Sequence, residues 1–482
     1  MRVLIVNTNR ERSPQTLIPL GACLVASAAR AAGHDVRLLD LTFSRFPSRA
    51  ARFAVRRFRP DVVGLSIRNI DNCDAGRPQF LLPEARRIAQ ACRSAGAETI
   101  VLGGPAVTTA PGPALSYLGG DFGVVGEGES SFPALLDAIE RGADPALVSG
   151  VAVPDDGGTA LSPTAPIGDL ASLPDPCLAD WLDMRGYRRY DAALPVQTKR
   201  GCPFNCSYCL YPLLEGPGVR LRDPESVASQ VHRAFHLELR AAEFVDSVFN
   251  VPEAHAVACC EAIARLRRRV PLQTLEFNPS ACSSDLIQAM NAAGFSAVGC
   301  SAESASDDML ATLGKGFTSD ALRSAARKLP TLDALKLWTF MLGGPGETER
   351  TVTETAQFIE QFLTPRDLVY VSCGIRILPG TKLHAQAAAE GIVSPDDDLL
   401  RPRFYFSPAI PPERALAMIT GCGFPSANIV TLSDGNHPLL PLAQRAAHMV
   451  GMSPPYWRWA PLWNKARHPW PAAGRREGAR CS

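Results

Sequence analysis

Short apolar runs alternate with amphipathic helical patterns over residues 1–150. The runs RVLIVN at 2–7, VVGLS at 62–66 and TIVLGG at 99–104 have the length and the β-branched content of buried strands. The segments between them repeat apolar residues every three or four positions, as helices with one packed face do. This alternation predicts an α/β domain over residues 1–150, built on a doubly wound parallel sheet with helices on both faces.

A second series of strand and helix patterns occupies residues 190–400, after a Pro-, Asp- and Gly-rich segment at 151–189 that we interpret as a hairpin and linker. Six strand patterns alternate there with helical ones, which predicts a partial (β/α)6 barrel with its chemistry at the C-terminal strand ends. Residues 401–482 are irregular in pattern and end in an aromatic tail, so we expect a small C-terminal domain or lid.

Composition and charge narrow the possible functions. Of the 482 residues, 46% are hydrophobic and 20% are charged, which excludes a wholly disordered chain. Lys and Arg number 49 against 48 Asp and Glu, and this balance lacks the basic surplus that nucleic-acid binding requires. The N-terminal residues show no signal peptide, and no apolar run is long enough to span a membrane. We therefore expect a cytoplasmic protein with neither nucleic acid nor membrane as a partner.

Three of the 14 cysteines have the spacing of metal ligands. Cys202, Cys206 and Cys209 form a C-x3-C-x2-C run directly after the first barrel strand, and three thiolates so placed can hold three irons of a [4Fe–4S] cluster. A zinc site would need a fourth ligand at matching spacing, and His232 and His236 have no paired cysteine. The cysteines that fall within apolar patterns are interpreted as core residues: Cys23, Cys92, Cys259, Cys260 and Cys300.

The cysteine run, with Tyr208 inside it and Lys199-Arg200-Gly201 before it, resembles the radical S-adenosylmethionine (SAM) superfamily. Further segments resemble the motifs of its barrel: 244–250, 299–304 with Lys315-Gly316, 343–348, 374–377 and 379–381. The resemblance implies that the cluster leaves one iron open to SAM, and that Tyr208, Glu303 and Ser304 help to bind the cofactors. Arg376 projects from a strand end, where a satisfied structural arginine and a catalytic, ligand-facing one both stay open.

The first domain resembles the Rossmann-like B12-binding domain of cobalamin-dependent radical SAM enzymes. Parallel sheets bind ligands in the crevice at the carboxyl ends of their strands, where glycines allow a close backbone approach. The resemblance assigns these strand-end residues to cobalamin: Asn7, Ser66, Arg68, Asn69, Gly103, Gly104, Pro105, Gly126, Glu127, Gly128 and Glu129. A degenerate domain that binds no cofactor is the alternative.

The chain lacks the D-x-H-x-x-G segment that supplies an axial histidine in some B12 enzymes, and His34 is interpreted as a turn residue. The resemblance is greatest to the members that methylate tryptophan at carbon 2, in which an arginine faces the lower side of the cobalt. Arg68 takes that place by resemblance, as a catalytic residue. The alternative is that Arg68 only pairs with Asp71 or caps a helix.

The resemblance implies a methyltransferase that C-methylates a small molecule or a natural-product intermediate. Cobalamin would accept a methyl group from one SAM, and the cluster would cleave a second SAM to a hydrogen-abstracting radical, although a polar route stays open. Expected partners are a small-molecule or peptide-derived substrate and an electron donor such as flavodoxin or ferredoxin. The alternatives are a rearrangement or cyclisation without methyl transfer, an RNA methylthiotransferase and a cobalamin sensor; the last two fit the sequence less well. Trp338, Tyr405 and the tail tryptophans could contact an aromatic substrate or pack in a core or lid.

Overall fold

The computed structural model describes residues 1–155, 158–432, 440–452 and 455–462. Of the aromatic tail singled out above, Trp463 and Trp470 lie outside the described residues. Within the described ranges the chain forms two α/β units, one after the other, and each unit is built on a sheet of seven strands.

The first sheet has the strand order β2-β1-β3-β4-β5-β6-β7, parallel as far as β5 and antiparallel through the last two strands. Its strands are β1 (Arg2–Asn7), β2 (Asp35–Asp40), β3 (Val62–Ser66), β4 (Thr99–Gly103), β5 (Phe122–Val124), β6 (Val151–Asp155) and β7 (Gly158–Leu161). The helices among them are α1 (Leu20–Ala31), α2 (Pro47–Phe58), α3 (Leu82–Arg93), α4 (Pro105–Thr109), α5 (Pro111–Leu118) and α6 (Gly128–Arg141).

Alternating side chains of the central strands explain why both faces of this sheet are covered. On β1, Val3 and Ile5 pack in one buried cluster with α1 and α6, whereas Leu4 and Val6 pack in another with α2 and α3. The sheet is therefore doubly wound, as predicted. The strand order changes direction between β1 and β3, where Asn7 pairs in register with Ser66. A crevice forms at the strand ends beside such a switch point.

The second sheet has the order β8-β11-β12-β13-β14-β15-β18, is wholly parallel, and is not closed into a barrel by any pairing among the described residues. Its strands are β8 (Leu194–Val196), β11 (Ala242–Phe244), β12 (Leu272–Phe277), β13 (Phe295–Glu303), β14 (Leu335–Leu342), β15 (Leu368–Cys373) and β18 (Ile429–Thr431). Two short ribbons flank it: β9 (Lys199–Arg200) with β10 (Arg220–Leu221), and β16 (Ile375–Arg376) with β17 (Phe404–Tyr405).

Helices cover the outer face of the second sheet. Those that pack in its main core include α10 (Pro224–His236), α11 (Glu253–Ala264), α12 (Ser284–Ala293), α14 (Ser319–Lys328) and α15 (Glu349–Phe362). The other helices after the first sheet are α7 (Leu178–Trp181), α8 (Met184–Arg189), α9 (Tyr211–Leu214), α13 (Asp307–Thr312), α16 (Lys382–Ala389), α17 (Pro412–Thr420) and α18 (Leu440–Met449). Trp338 of β14 packs edge-on against Phe358 of α15 at a centroid distance of 5.7 Å, so this tryptophan belongs to the core. The five cysteines predicted to be core residues are all buried.

Two segments outside the predicted cores extend the sheets. The hairpin predicted after residue 150 is present, and its strands β6 and β7 form the edge of the first sheet. In the C-terminal region, α17 packs beside α15 and β18 becomes the edge strand of the second sheet. The boundaries at residues 150, 189 and 400 stay predictions.

Buried ion pairs join the two units at the strand ends. Arg200 of β9 contacts Glu129 at 2.5 Å and Glu127 at 3.3 Å, and Arg220 of β10 contacts Glu127 at 2.8 Å. The side chains of Arg200 and both glutamates are no more than 8% exposed. A helix long and apolar enough to cross a membrane is not found among the residues described.

Arg200→Met should destabilise the cofactor-free protein by about 3–5 kcal/mol, because it leaves two buried carboxylates without their shared cation. Urea unfolding followed by circular dichroism measures this loss. The matched control is Arg323→Met, which removes an exposed pair with Asp320 and should cost at most about 1 kcal/mol. Equal losses in the two variants would contradict the prediction.

Candidate functional site

A cavity of about 260 Å³ opens at the carboxyl ends of β3, β4 and β5. The second unit closes its far side through Arg200, Tyr211 and Glu215. The structure thus brings together most of the strand-end residues assigned to cobalamin: Ser66, Gly103, Gly104, Pro105, Gly126, Glu127, Gly128 and Glu129. We call this space the tail cavity.

Glycine is required at one of these turns. Gly104 has φ +99°, and a Cβ atom built on it would lie 2.6 Å from the carbonyl oxygen of Ile67. The turn after β4 can therefore approach the loop after β3 only because residue 104 has no side chain.

A second cavity of about 220 Å³ adjoins the tail cavity, since Gly21, Ala22, Ser66 and Pro105 line both. Asn7, Arg68 and Glu243 also line this second space, which we call the loop cavity. The Thr16 hydroxyl lies at its wall, buried and without a hydrogen-bond partner among the described residues. Neither cavity is lined by a histidine of the described chain. His34 lies at the opposite end of the sheet, beside the amino group of Met1.

Arg68 projects into the loop cavity. Asp71, the partner considered above, is instead paired with Arg376 at 2.7 Å. Within the described part of the chain, no ion pair or hydrogen bond engages the Arg68 guanidinium. Arg68 is itself an exposed residue at the edge of this cavity. Partial desolvation by the surrounding protein lowers the pKa of Arg68, while the nearby Tyr211 phenol and Glu243 carboxylate act in the opposite direction. Arg68 is therefore a cation that faces a cavity without a fixed partner.

The carboxylates of Glu127 and Glu129 have a different role from the predicted cofactor contact. Glu129 forms an ion pair with Arg200, and Glu127 forms ion pairs with both Arg200 and Arg220. Glu127 also accepts a hydrogen bond from the backbone N–H of Ile167 at 2.6 Å. Their backbone lines the tail cavity, and their charges join the two units.

The cysteine loop is fixed by backbone hydrogen bonds on both sides. The N–H of Ser207 donates to Leu313 at 2.9 Å, and the N–H of Leu383 donates to the carbonyl of Ser207 at 2.8 Å. The Ser207 hydroxyl is buried and has no partner among the described residues. A buried hydroxyl without a protein acceptor fits a loop that encloses a group bearing sulfide and thiolate acceptors.

The three thiols lie close enough to influence one another. Burial, together with the charges of Cys206 and Cys202, raises the pKa of Cys209 to about 12. Three cysteine thiols converging on one loop fit the ligand set of a [4Fe–4S] cluster. No group of three His, Cys, Asp or Glu side chains in the described ranges is arranged to hold a single metal ion.

Tyr208 and Glu303 meet beside the cysteine loop. The Tyr208 hydroxyl donates to Glu303 at 2.9 Å, and Lys315 forms an ion pair with the same carboxylate at 2.7 Å. Glu303 ends β13 with φ +57°, a strained backbone for a residue other than glycine. The predicted neighbour Ser304 points elsewhere, since its hydroxyl lies 3.2 Å from the hydroxyl of Thr355 on α15.

Several predicted residues are engaged in the protein itself. Arg376 is buried and donates to Asp71 and to the carbonyls of Ile377 and Leu399, which favours the structural of its two interpretations. The Asn7 amide group donates to Asp40 and Thr42. Tyr405 is a buried residue whose hydroxyl donates to Glu390 at 2.6 Å. Asn69 follows Arg68 on the loop after β3 and is partly exposed.

Sequence reasoning missed Tyr211, Glu243 and Glu276. Glu276 lies where the pairing of β12 with β13 shifts register, and such irregularities redirect side chains near functional sites. It accepts a hydrogen bond from Ser301 at 3.1 Å, and burial, followed by the charge of Glu303, raises its pKa to about 7. The apolar pattern of β12 gives no signal of this shift.

Two protein families match separate segments of the chain, one in each unit. Residues 7–136 match the B12 binding domain, and residues 196–359 match the radical SAM superfamily. The chain therefore carries a B12-binding domain followed by a radical SAM domain. These domains imply cobalamin, a [4Fe–4S] cluster and SAM as cofactors.

Several of the curated relatives are named as methyltransferases. The uncharacterized methyltransferase PH0819 of Pyrococcus horikoshii is 27% identical, over 82% of this chain and 84% of its own length. The tryptophan 2-C-methyltransferase of Streptomyces laurentii is 24% identical, over 78% of this chain and 73% of its own length.

The fold is shared with a solved structure. The radical SAM methyltransferase TsrM of Kitasatospora setae, with tryptophan and a SAM analogue bound, superposes with a TM-score of 0.82 at 21% identity. The match covers 97% of this chain and 99% of that one. The B12-dependent radical SAM fold predicted from the sequence is therefore confirmed.

Replacing Cys202, Cys206 and Cys209 together by Ala should abolish iron and sulfide binding after anaerobic reconstitution, because the variant lacks all three proposed thiolate ligands. Iron and sulfide assays and the broad thiolate-to-iron absorption measure the loss. Cys259→Ala with Cys260→Ala is the matched control, since both thiols are 0% exposed in the core. A triple variant that keeps its iron would contradict the assignment.

Proposed function

We propose that this protein is a cobalamin-dependent radical SAM methyltransferase that methylates a carbon atom of a small molecule or natural-product intermediate. The single observation that carries the proposal is the position of Tyr211. It follows Cys209 by two residues and lines the tail cavity, together with Leu214 of α9. One short segment thus bears a cluster ligand and forms a wall of the cobalamin crevice.

This adjacency has a chemical consequence. Bound in these places, cobalamin would carry a methyl group taken from one SAM, and the cluster would cleave a second SAM to a hydrogen-abstracting radical. A substrate held between them would reach both without diffusing away. The Arg200 ion pairs support this arrangement, since they connect the turn after β5 with the strand that leads into the cysteine loop.

The residues around the crevice then have distinct roles. The backbone of the Gly103 and Gly126 turns would hold cobalamin, and Arg68 would place a positive charge beside it. Tyr208 and Glu303 border the cluster side, where Lys315 forms an ion pair with the carboxylate. Glu243 accepts hydrogen bonds from Gln15 and Gln273 and lines the loop cavity together with Arg68.

The substrate is proposed to be a small molecule. The relatives named for an acceptor include the tryptophan enzyme and the hopanoid C-3 methylase of Methylococcus capsulatus, which is 29% identical over 54% of this chain. An electron donor such as flavodoxin or ferredoxin would reduce the cluster. No specific contact supports the alternative of a rearrangement or cyclisation without methyl transfer. The crevice at the strand ends of the first sheet favours a B12 domain that binds its cofactor over a degenerate one.

The decisive experiment incubates anaerobically reconstituted protein with methyl-labelled SAM, cobalamin and a panel of candidate acceptors that includes tryptophan. We expect label first in methylcobalamin and then on a carbon atom of one acceptor. Reconstituted protein that binds cobalamin and the cluster but never methylates cobalamin would contradict methyl transfer.

Arg68→Ala should slow methylcobalamin formation by about tenfold, the factor that corresponds to about 1.4 kcal/mol in the barrier. The reason is that a cation beside the cobalt would favour the reduced, low-coordinate Co(I) state that accepts the methyl group, whereas alanine would open that side to water, a ligand that favours the unreactive higher oxidation states. Methylcobalamin absorbance measures the rate.

Electron paramagnetic resonance of the Co(II) form provides a second readout. The wild type should show no nitrogen splitting from a histidine, and Arg68→Ala should show a changed axial environment. Arg10→Ala is the control, because Arg10 pairs with Glu84 within the first unit. Loss of thermal stability with an unchanged rate in Arg68→Ala would refute its proposed role.

A further inference from the structure

The loop that carries Arg68 is held by contacts at Ile67, Ile70 and Asp71. At its start, the N–H of Ile67 donates to Gly103 at 2.9 Å, and the carbonyl of Ile67 accepts from Ala106 at 3.2 Å. After Arg68, the carbonyl of Ile70 accepts from the N–H of Leu81 at 2.9 Å, and Asp71 pairs with Phe80 in an isolated β-bridge. These contacts lie within the first unit. The loop therefore leaves the sheet in a fixed direction toward the crevice.

The loop is also attached to the other unit, through Asp71. Asp71 Oδ2 accepts from Arg376 Nε at 2.7 Å, across 305 residues of sequence, and the two side chains are 2% and 3% exposed. The other oxygen, Asp71 Oδ1, accepts from the N–H of Cys73 at 2.8 Å, so one carboxylate orders the loop and joins it to β16.

Close backbone packing supports the same junction. Gly374, two residues before Arg376, has φ +91°, and a Cβ atom built on it would lie 2.9 Å from the Cβ of Ala75. Arg376 cannot turn away to follow a moving loop, because its other donors are bound to the carbonyls of Ile377 and Leu399. The ion pair thus fixes the loop to a rigid base.

Arg68 lies between the attachments at Ile67 and Asp71, and its side chain forms no ion pair or hydrogen bond with any residue that the structure describes. Its position in the loop cavity is therefore set by the backbone from Ile67 to Asp71. We propose that Asp71 and Arg376 are positioning residues, which hold Arg68 in the crevice by joining its loop to the second unit. This inference rests on the proposed function, because it assigns the crevice to cobalamin.

The first test uses the cofactor-free protein. In Asp71→Asn and in Arg376→Gln, the backbone amides of residues 68–76 should exchange hydrogen for deuterium at least about tenfold faster than in the wild type, because the attachment to the second unit is lost. Mass spectrometry of peptides that cover this loop measures the exchange. Unchanged exchange in both variants would overturn the proposal, whatever the protein binds.

The second test measures cobalamin binding. Both variants should bind cobalamin with a Kd raised at least about tenfold, because the loop must be ordered when the ligand binds. If the wild type itself does not bind cobalamin, the proposed function fails while the exchange result still decides the present inference. If the wild type binds and the variants bind equally well, the positioning role is wrong.

A double variant separates positioning from simple loss of stability. Asp71→Asn with Arg376→Gln leaves no isolated buried charge, so it should melt closer to the wild type than either single variant does. Its loop should nevertheless exchange fast and its cobalamin affinity should stay low. A double variant that regains both stability and wild-type affinity would show a purely structural role.

The matched control removes an ion pair at another place on the same domain junction. Arg220→Gln breaks the contact with Glu127 but does not touch the loop after β3. Exchange in residues 68–76 should be unchanged in this variant. Equally fast exchange there would mean that any loosening of the junction frees the loop, and would overturn the specific role of Asp71 and Arg376.

Discussion

The arrangement of the site depends on the buried ion pairs of Arg200 with Glu127 and Glu129. Each parallel sheet concentrates its ligand-binding loops at one edge, and two such edges form a common site only if they face each other at a fixed distance. Arg200 is the last residue of β9, directly before the cysteine loop, and its side chain contacts the turn after β5. Breaking a buried pair leaves uncompensated charge, so the junction resists separation.

The inner face of the second sheet, opposite its helices, lies beside this junction. On β14, Trp338, Phe340 and Leu342 are buried toward the helices, whereas the alternating Thr339 and Met341 face inward and stay partly exposed. A packed barrel would bury both sets. The open sheet therefore leaves its inner face, next to the cysteine loop, partly exposed. Under the proposed function, SAM and a substrate would lie on this side.

The sequence predicted what depends on local spacing and failed where long-range contacts decide. The cysteine run and the glycine turns are local signals, and both lie where the parallel sheets place strand-end loops. Glu127 was assigned to a cofactor because nothing near it in the sequence reveals Arg220, 93 residues later. Arg376 was left open for the same reason, since its partner Asp71 lies in the other unit. Glu276 was missed because its orientation results from a register shift that an apolar strand pattern does not encode.

The carboxylates beside the cysteine loop differ in how their charge is balanced. Lys315 forms an ion pair with Glu303, whereas Glu276 accepts a hydrogen bond from Ser301. Burial, followed by the charge of Glu303, raises the pKa of Glu276 to about 7, although the charge of Lys315 acts in the opposite direction. Its protonated form is therefore favoured below that pH, although an exposed glutamate would be ionised there. A positive charge placed beside Glu276 would favour the carboxylate and lower the pKa again. Binding of such a cation would release a proton near neutral pH and would strengthen as the pH rises, because the proton competes for the same carboxylate.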